Sequence, residues 1–205
     1  MKLSSIVTLP ACLLTFLSLE WGSPMLVASS PPGTPATPPA PAAQSPTAEQ
    51  LLHQGIERFD RGQYDAARQL YQQALELYRQ TQDQAGVAKA LAELGLAQSM
   101  LGDYDRALAT YQESLTLARS LADRKLEATV LNSIGFVYAD RGDYQTALAQ
   151  YQQSLGLARQ IKDRFLEGRV LGNLANAQVG LEDYARAIDL YQQRLALAQE
   201  LKDRR

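Results

Sequence analysis

The sequence predicts an all-α solenoid of four helix-turn-helix units, and three observations predict it. One pattern recurs every 40 residues. Tyr64, Tyr104, Tyr144 and Tyr184 fall on it, with Ala67, Ala107, Ala147 and Ala187 three residues later and Tyr71, Tyr111, Tyr151 and Tyr191 seven later. A fixed period between about 20 and 50 residues marks stacked units that bury their apolar faces against one another. Spacings inside each unit are helical. All 9 prolines lie before residue 47 and every tyrosine after it, so nothing interrupts helix interiors in a stretch rich in Ala, Leu, Gln, Glu and Arg.

The first element is a leader. Lys2 precedes an apolar run through Ile6, Val7, Leu9, Leu13, Leu14, Phe16 and Leu17, continued by Met25, Leu26 and Val27. A basic start, an apolar stretch and a small-residue cut site lay out a secretory signal peptide, expected over residues 1–29 with Val27-Ala28-Ser29 at the cut. Glu20 and Trp21 break the run, so an uncleaved anchor, which needs roughly 20 apolar residues, is the alternative. The expectation is an exported chain, periplasmic or extracellular, that meets a membrane only through this leader. Residues 30–47 follow as an uncharged Pro, Ala, Ser and Thr tract, which forms no core and favours an extended spacer.

The folded part is expected over 48–205, in units 48–87, 88–127, 128–167 and 168–205. A chain of about 158 residues buries roughly 70% of its unfolded surface, enough for a core without staples. Leu131, Ile134, Gly135 and Tyr138 share one face of a first helix, A. Gly142-Asp143 then breaks the pattern, with Asp143 suited to cap a second helix, B, through Tyr144, Ala147, Tyr151 and Leu155. Gly95, Gly135 and Ala175 in helix A, and the Ala67 column in helix B, let two backbones approach, and tyrosines fill the space around the crossing. Three further columns keep the register: Leu51, Leu91, Leu131 and Leu171; Leu75, Leu115, Leu155 and Leu195; Asp83, Asp123, Asp163 and Asp203.

These columns resemble the tetratricopeptide repeat, and the resemblance covers residues 48–205. The units lack the proline that commonly closes helix B and add about two turns there, as at Leu155 to Asp163. In this they resemble the 40-residue variety of kinesin light chains and many bacterial arrays. The resemblance implies a right-handed superhelix whose concave wall, made by the A helices, docks peptides or partner proteins. Carried onto this chain, the wall positions are Glu49, Leu52, Ile56 and Phe59, then Lys89, Ala92, Leu96 and Ser99. Units three and four supply Thr129, Asn132, Phe136 and Ala139, then Arg169, Gly172, Asn176 and Val179, with Ser133 and Asn173 flanking. The wall is apolar in its first half and carries amides in its second. Asn132, Asn173 and Asn176 can donate and accept at once, which suits an extended peptide's backbone; solvated helix side chains are the plainer reading. Leu52 and Ile56 occupy positions where the chaperone-tail binders of the family carry lysine and asparagine, which argues against that ligand.

Chemistry outside docking finds little support. The net charge is -2 with both signs interleaved, so no basic stripe offers itself to nucleic acid. Cys12 is the only cysteine and His53 the only histidine, and neither a phosphate loop nor metal-ligand spacing occurs. No cofactor and no catalysis are expected. The last helix B carries Ala187, Leu190, Leu195, Leu197 and Ala198, which a solenoid end leaves partly covered. A homo-oligomer formed through that end is therefore the alternative function.

Overall fold

A computed structural model describes residues 46–203. The expected leader over 1–29 and the expected spacer up to residue 45 lie outside the described residues. Eight helices form the described part: α1 (Ala48–Asp60), α2 (Tyr64–Gln80), α3 (Gln84–Met100), α4 (Tyr104–Ser120), α5 (Arg124–Asp140), α6 (Tyr144–Gln160), α7 (Arg164–Gly180) and α8 (Tyr184–Asp203). No strand occurs among them. The odd-numbered helices are the A helices and the even-numbered ones the B helices. α3, α5 and α7 open four residues before the unit starts at 88, 128 and 168, because the aspartate column caps them. Asp83, Asp123 and Asp163 accept from the backbone N–H of Gly86, Leu126 and Leu166 at 2.9, 2.9 and 3.0 Å.

Three-residue turns join the helices, each with its middle residue in the left-handed region. Gly62, Gly102 and Gly142 fill it in the first three A-to-B turns, where glycine adopts φ of 73°, 79° and 81° without a Cβ penalty. Asp143, expected to cap α6, accepts from Thr146 N–H at 3.1 Å.

The seam between A and B is a tyrosine ring laid on a glycine. Tyr71, Tyr111 and Tyr151 are buried, and a Cβ built at Gly55, Gly95 or Gly135 would stand 2.4, 2.8 or 2.6 Å from the nearest ring atom. Only glycine lets the two backbones close over the ring. Ser114 and Ser154 reinforce the crossing by donating to the carbonyls of Ala88 and Ala128, each at 2.7 Å. The leucine column of helix A, Leu51, Leu91, Leu131 and Leu171, is buried throughout.

Each helix packs on its chain neighbours, and the backbones of α1, α3, α5 and α7 also approach one another in sequence, whereas the described B helices meet only through long side chains, Arg79 with Glu113 and Arg159 with Gln193. The A helices therefore stand closer together and line the inner side of a curved row. Charged clamps fix the junctions between pairs. Glu127 on α5 takes Arg119 Nε of α4 at 2.8 Å and Arg124 Nη1 at 2.7 Å, and Glu167 on α7 takes Arg159 and Arg164 at 2.9 and 2.8 Å.

The last pair departs from the pattern. Ala175 stands where the other units have glycine, and Tyr191 is 39% exposed instead of buried. Of the residues expected to be partly covered, Ala187 and Leu197 are buried, because both face α7; Leu190 is half-buried, Leu195 and Ala198 are exposed.

Candidate functional site

The inner wall begins on α1. Leu52 and Phe59 are half-buried against the core that α2 and α3 share, and the Phe59 ring meets Tyr64 at 5.0 Å between centroids. Ile56, 37% exposed, lines a shallow surface with Leu52, Glu49 and His53. His53 itself is solvent-exposed beside Glu57 at 3.5 Å. α1 touches α2 and α3 alone among the described helices, so this apolar patch stays apart from the amides of α5 and α7. On α3, Lys89 is exposed and Leu96 is half-buried against the α4–α5 core, while burial and the Asp60 carboxylate raise the carboxyl of Glu93 above its ordinary range.

The second half of the wall is where predicted residues converge. Phe136 from α5 and Asn173 and Asn176 from α7 line one cleft of about 170 Å³ with Asp140, Tyr144 and Ala177. Phe136 is 42% exposed and presents its ring to the cleft. Asn132 does not reach the cleft surface. It is buried at 6% exposure and its Oδ1 accepts from Asn173 Nδ2 at 2.9 Å, which ties α5 to α7 and fixes the orientation of Asn173. Asn176 Oδ1 accepts from Tyr191 Oη at 2.5 Å. Asn173 therefore keeps one N–H and its carbonyl oxygen for a ligand, and Asn176 keeps both N–H groups. Ser133 spends its hydroxyl on the Thr129 carbonyl at 3.2 Å.

Arg169, Asn173 and Asn176 also line a larger cleft of about 520 Å³ that opens between α7 and α8. Sequence reasoning missed its other wall, including Arg194, Leu201 and Lys202. The signal was present: Arg194 interrupts a column otherwise made of Ala74, Ser114 and Ser154. Among the described residues, no group of His, Cys, Asp and Glu side chains is arranged to hold a metal ion. No described helix is long and apolar enough to cross a membrane.

A row of helical hairpins with a polar and aromatic inner wall defines a helical-repeat scaffold of the protein-interaction class. The tetratricopeptide repeat family model matches residues 48–120 and 126–200, and the chain belongs to that family. No curated protein sequence matches the chain. Among solved structures, BtubC (BKLC) of P. vanneervenii is similar at 18% identity and a TM-score of 0.68, over 76% of this chain and 64% of that one. Aspartyl phosphate phosphatase F of Bacillus subtilis is similar at 15% identity and a TM-score of 0.71, over 76% of this chain and 41% of that one. The apo form of RapI aligns at 18% identity and a TM-score of 0.69, over 76% and 57%. The chain thus spans less than two thirds of each of these neighbours, and at these identities the likeness concerns the fold.

Proposed function

We propose that this protein is an exported, non-catalytic scaffold that docks a peptide or partner-protein segment along its A-helix wall, with the α5–α7 stretch as the specific grip. The observation that carries this reading is the pairing of the amides. Buried Asn132 holds Asn173 in place, and Asn173 and Asn176 retain unspent donors and an acceptor beside an exposed Phe136. An extended peptide alternates N–H and C=O, so such amides bind main chain whatever its side chains, and the ring takes an apolar one. Membership of a family built for protein–protein interaction supports the class of function. The leader read over residues 1–29 supports export to the periplasm or beyond, and the 30–47 tract suits a spacer between the repeats and the envelope. The phosphatase activity in the name of one structural neighbour is not carried over: nothing in the wall pairs a nucleophile with a base.

Capture from envelope extract tests the reading. The native chain should retain a defined partner, and Asn173→Ala combined with Asn176→Ala should weaken that partner's binding about tenfold, the worth of one or two hydrogen bonds. Thermal unfolding should show the variant still folded. Equal retention by both proteins would sink the proposal.

Assembly of identical copies through the α8 end is a second reading, favoured by Tyr184, Ile188 and Leu195, which are 59%, 56% and 59% exposed. It predicts a concentration-dependent mass in light scattering that the asparagine variant leaves unchanged.

A further inference from the structure

Each internal A helix enters the stack through the same socket. α7 sets Leu166, Val170, Leu174 and Ala177 onto a floor made by Ala128, Leu148, Tyr151 and Ala158 of α5 and α6. Forty residues further on, the floor positions are Gly168, Ile188, Tyr191 and Ala198. There Ile188 and Tyr191 are 56% and 39% exposed, against 8% and 2% for Leu148 and Tyr151, and α8 packs on α7, reaching α6 only through the Gln193 side chain and Arg159. The socket is also rebuilt. Gly168, Gly172 and Arg194 stand where the preceding unit has Ala128, Asn132 and Ser154. A Cβ at Gly172 would lie 2.8 Å from an Arg194 nitrogen, so the missing side chain is what lets the guanidinium lie across α7.

The rebuilt groove is positively charged. Arg164, Arg169, Arg194 and Lys202 line it and no carboxylate does. Arg164 is engaged by Glu167 and Glu200, but Arg169, Arg194 and Lys202 have no carboxylate partner among the described residues. Leu197 and Leu201 supply apolar wall between them.

A second copy fits this end poorly in either orientation. Stacked head to tail, it would present α1, whose residues matching Val170, Leu174 and Ala177 are Gln50, Gln54 and Glu57, all exposed and polar. Burying them on Ile188 and Tyr191 would desolvate polar groups without partners. Paired tail to tail about a two-fold axis, it would bring two copies of the same cationic groove together.

We infer that the α7–α8 end groove is a second docking site, which takes one amphipathic helix of a different protein. That helix carries apolar residues at the spacing of Leu166, Val170, Leu174 and Ala177 and carboxylates along the flank that meets Arg169, Arg194 and Lys202. The inference does not rest on the wall of A helices as a peptide groove. The helix-in-groove mode supplies its area, and the cations supply its choice among apolar helices.

A synthetic peptide tests it. The probe is the α7 segment Arg164–Gly180, fluorescently labelled, with Arg169→Glu and Asn173→Glu to supply the carboxylates along its flank. Titrated with the full 205-residue chain and followed by anisotropy, it should bind saturably and more weakly as salt is raised. Ile188→Asp should weaken binding by at least about tenfold, and Arg194→Glu by several-fold with a flatter salt dependence. Both positions are on the surface, so circular dichroism of each variant should match the parent. Phe136→Ala, on the other groove, should leave the probe's affinity unchanged. Absence of saturable binding would overturn the inference. So would equal affinity for Ile188→Asp, or light scattering that shows the chain alone forming dimers which Ile188→Asp dissolves.

Discussion

A methyl group added at Gly135 would stand 2.6 Å from a Tyr151 ring carbon, and the ring, 2% exposed, has nowhere to go. Two effects oppose one another in Gly135→Ala. Helix propensity gains about 1 kcal/mol, and overpacking a closed core costs about 1–3 kcal/mol, so net destabilisation is expected. Gly156, exposed on α6 with nothing near its missing Cβ, isolates the first term: Gly156→Ala should stabilise by about 0.5–1 kcal/mol. Urea unfolding of the two variants separates these signs. The glycine–tyrosine seam was legible in the sequence because both partners sit in periodic columns. The burial of Asn132 was not, since helix periodicity assigns a face but not how closely the next A helix approaches it. Its bond to Asn173 spans 41 residues and depends on that approach.

Helix number and type were legible from spacing alone, and so was the break at Gly142-Asp143. Unit starts at 88, 128 and 168 do not give the openings of α3, α5 and α7, because a repeat can be phased from any column; the Asp83, Asp123 and Asp163 side chains bonding backbone N–H groups mark those openings. The junction clamps were also out of reach, since Glu127 and Arg119 belong to different helices whose docking a pattern does not give. Glu127 lends itself to a test of how α4 is held to α5. Burial pushes its carboxyl up, but the hydrogen bonds and charges of Arg119 and Arg124 together outweigh burial and hold it below the ordinary glutamate range. A depressed folded-state value means that the stabilisation is complete above the unfolded value of about 4.3 and is lost as pH falls through the folded one. Glu127→Gln should therefore be markedly less stable than the parent at neutral pH, and the gap should close as the medium is acidified below about pH 4. A gap independent of pH in urea titrations would mean that the clamp contributes through shape and not charge.

At the scale of the whole molecule, no described helix packs beyond its chain neighbours and the adjacent helix of its own kind. Stability is then a sum of unit and neighbour terms, so the ends open more readily than the middle. The two ends also differ in kind. α1 turns Gln50, Gln54 and Glu57 outward, whereas the α7–α8 end exposes Ile188 and Leu195, which is where the repeat itself was altered. The four-unit row was legible from the 40-residue period, but the end groove needed three coordinated departures from it, at Gly168, Gly172 and Arg194, that only packing brings together. Native-state hydrogen exchange tests the linear stack most directly. Amides of α3 to α6, flanked on both sides, should be the slowest to exchange, with protection falling toward α1 and falling furthest in α8. Uniform protection from α1 to α8, or a maximum in α8, would contradict a row of units held only by their neighbours and indicate helices gathered around one shared core.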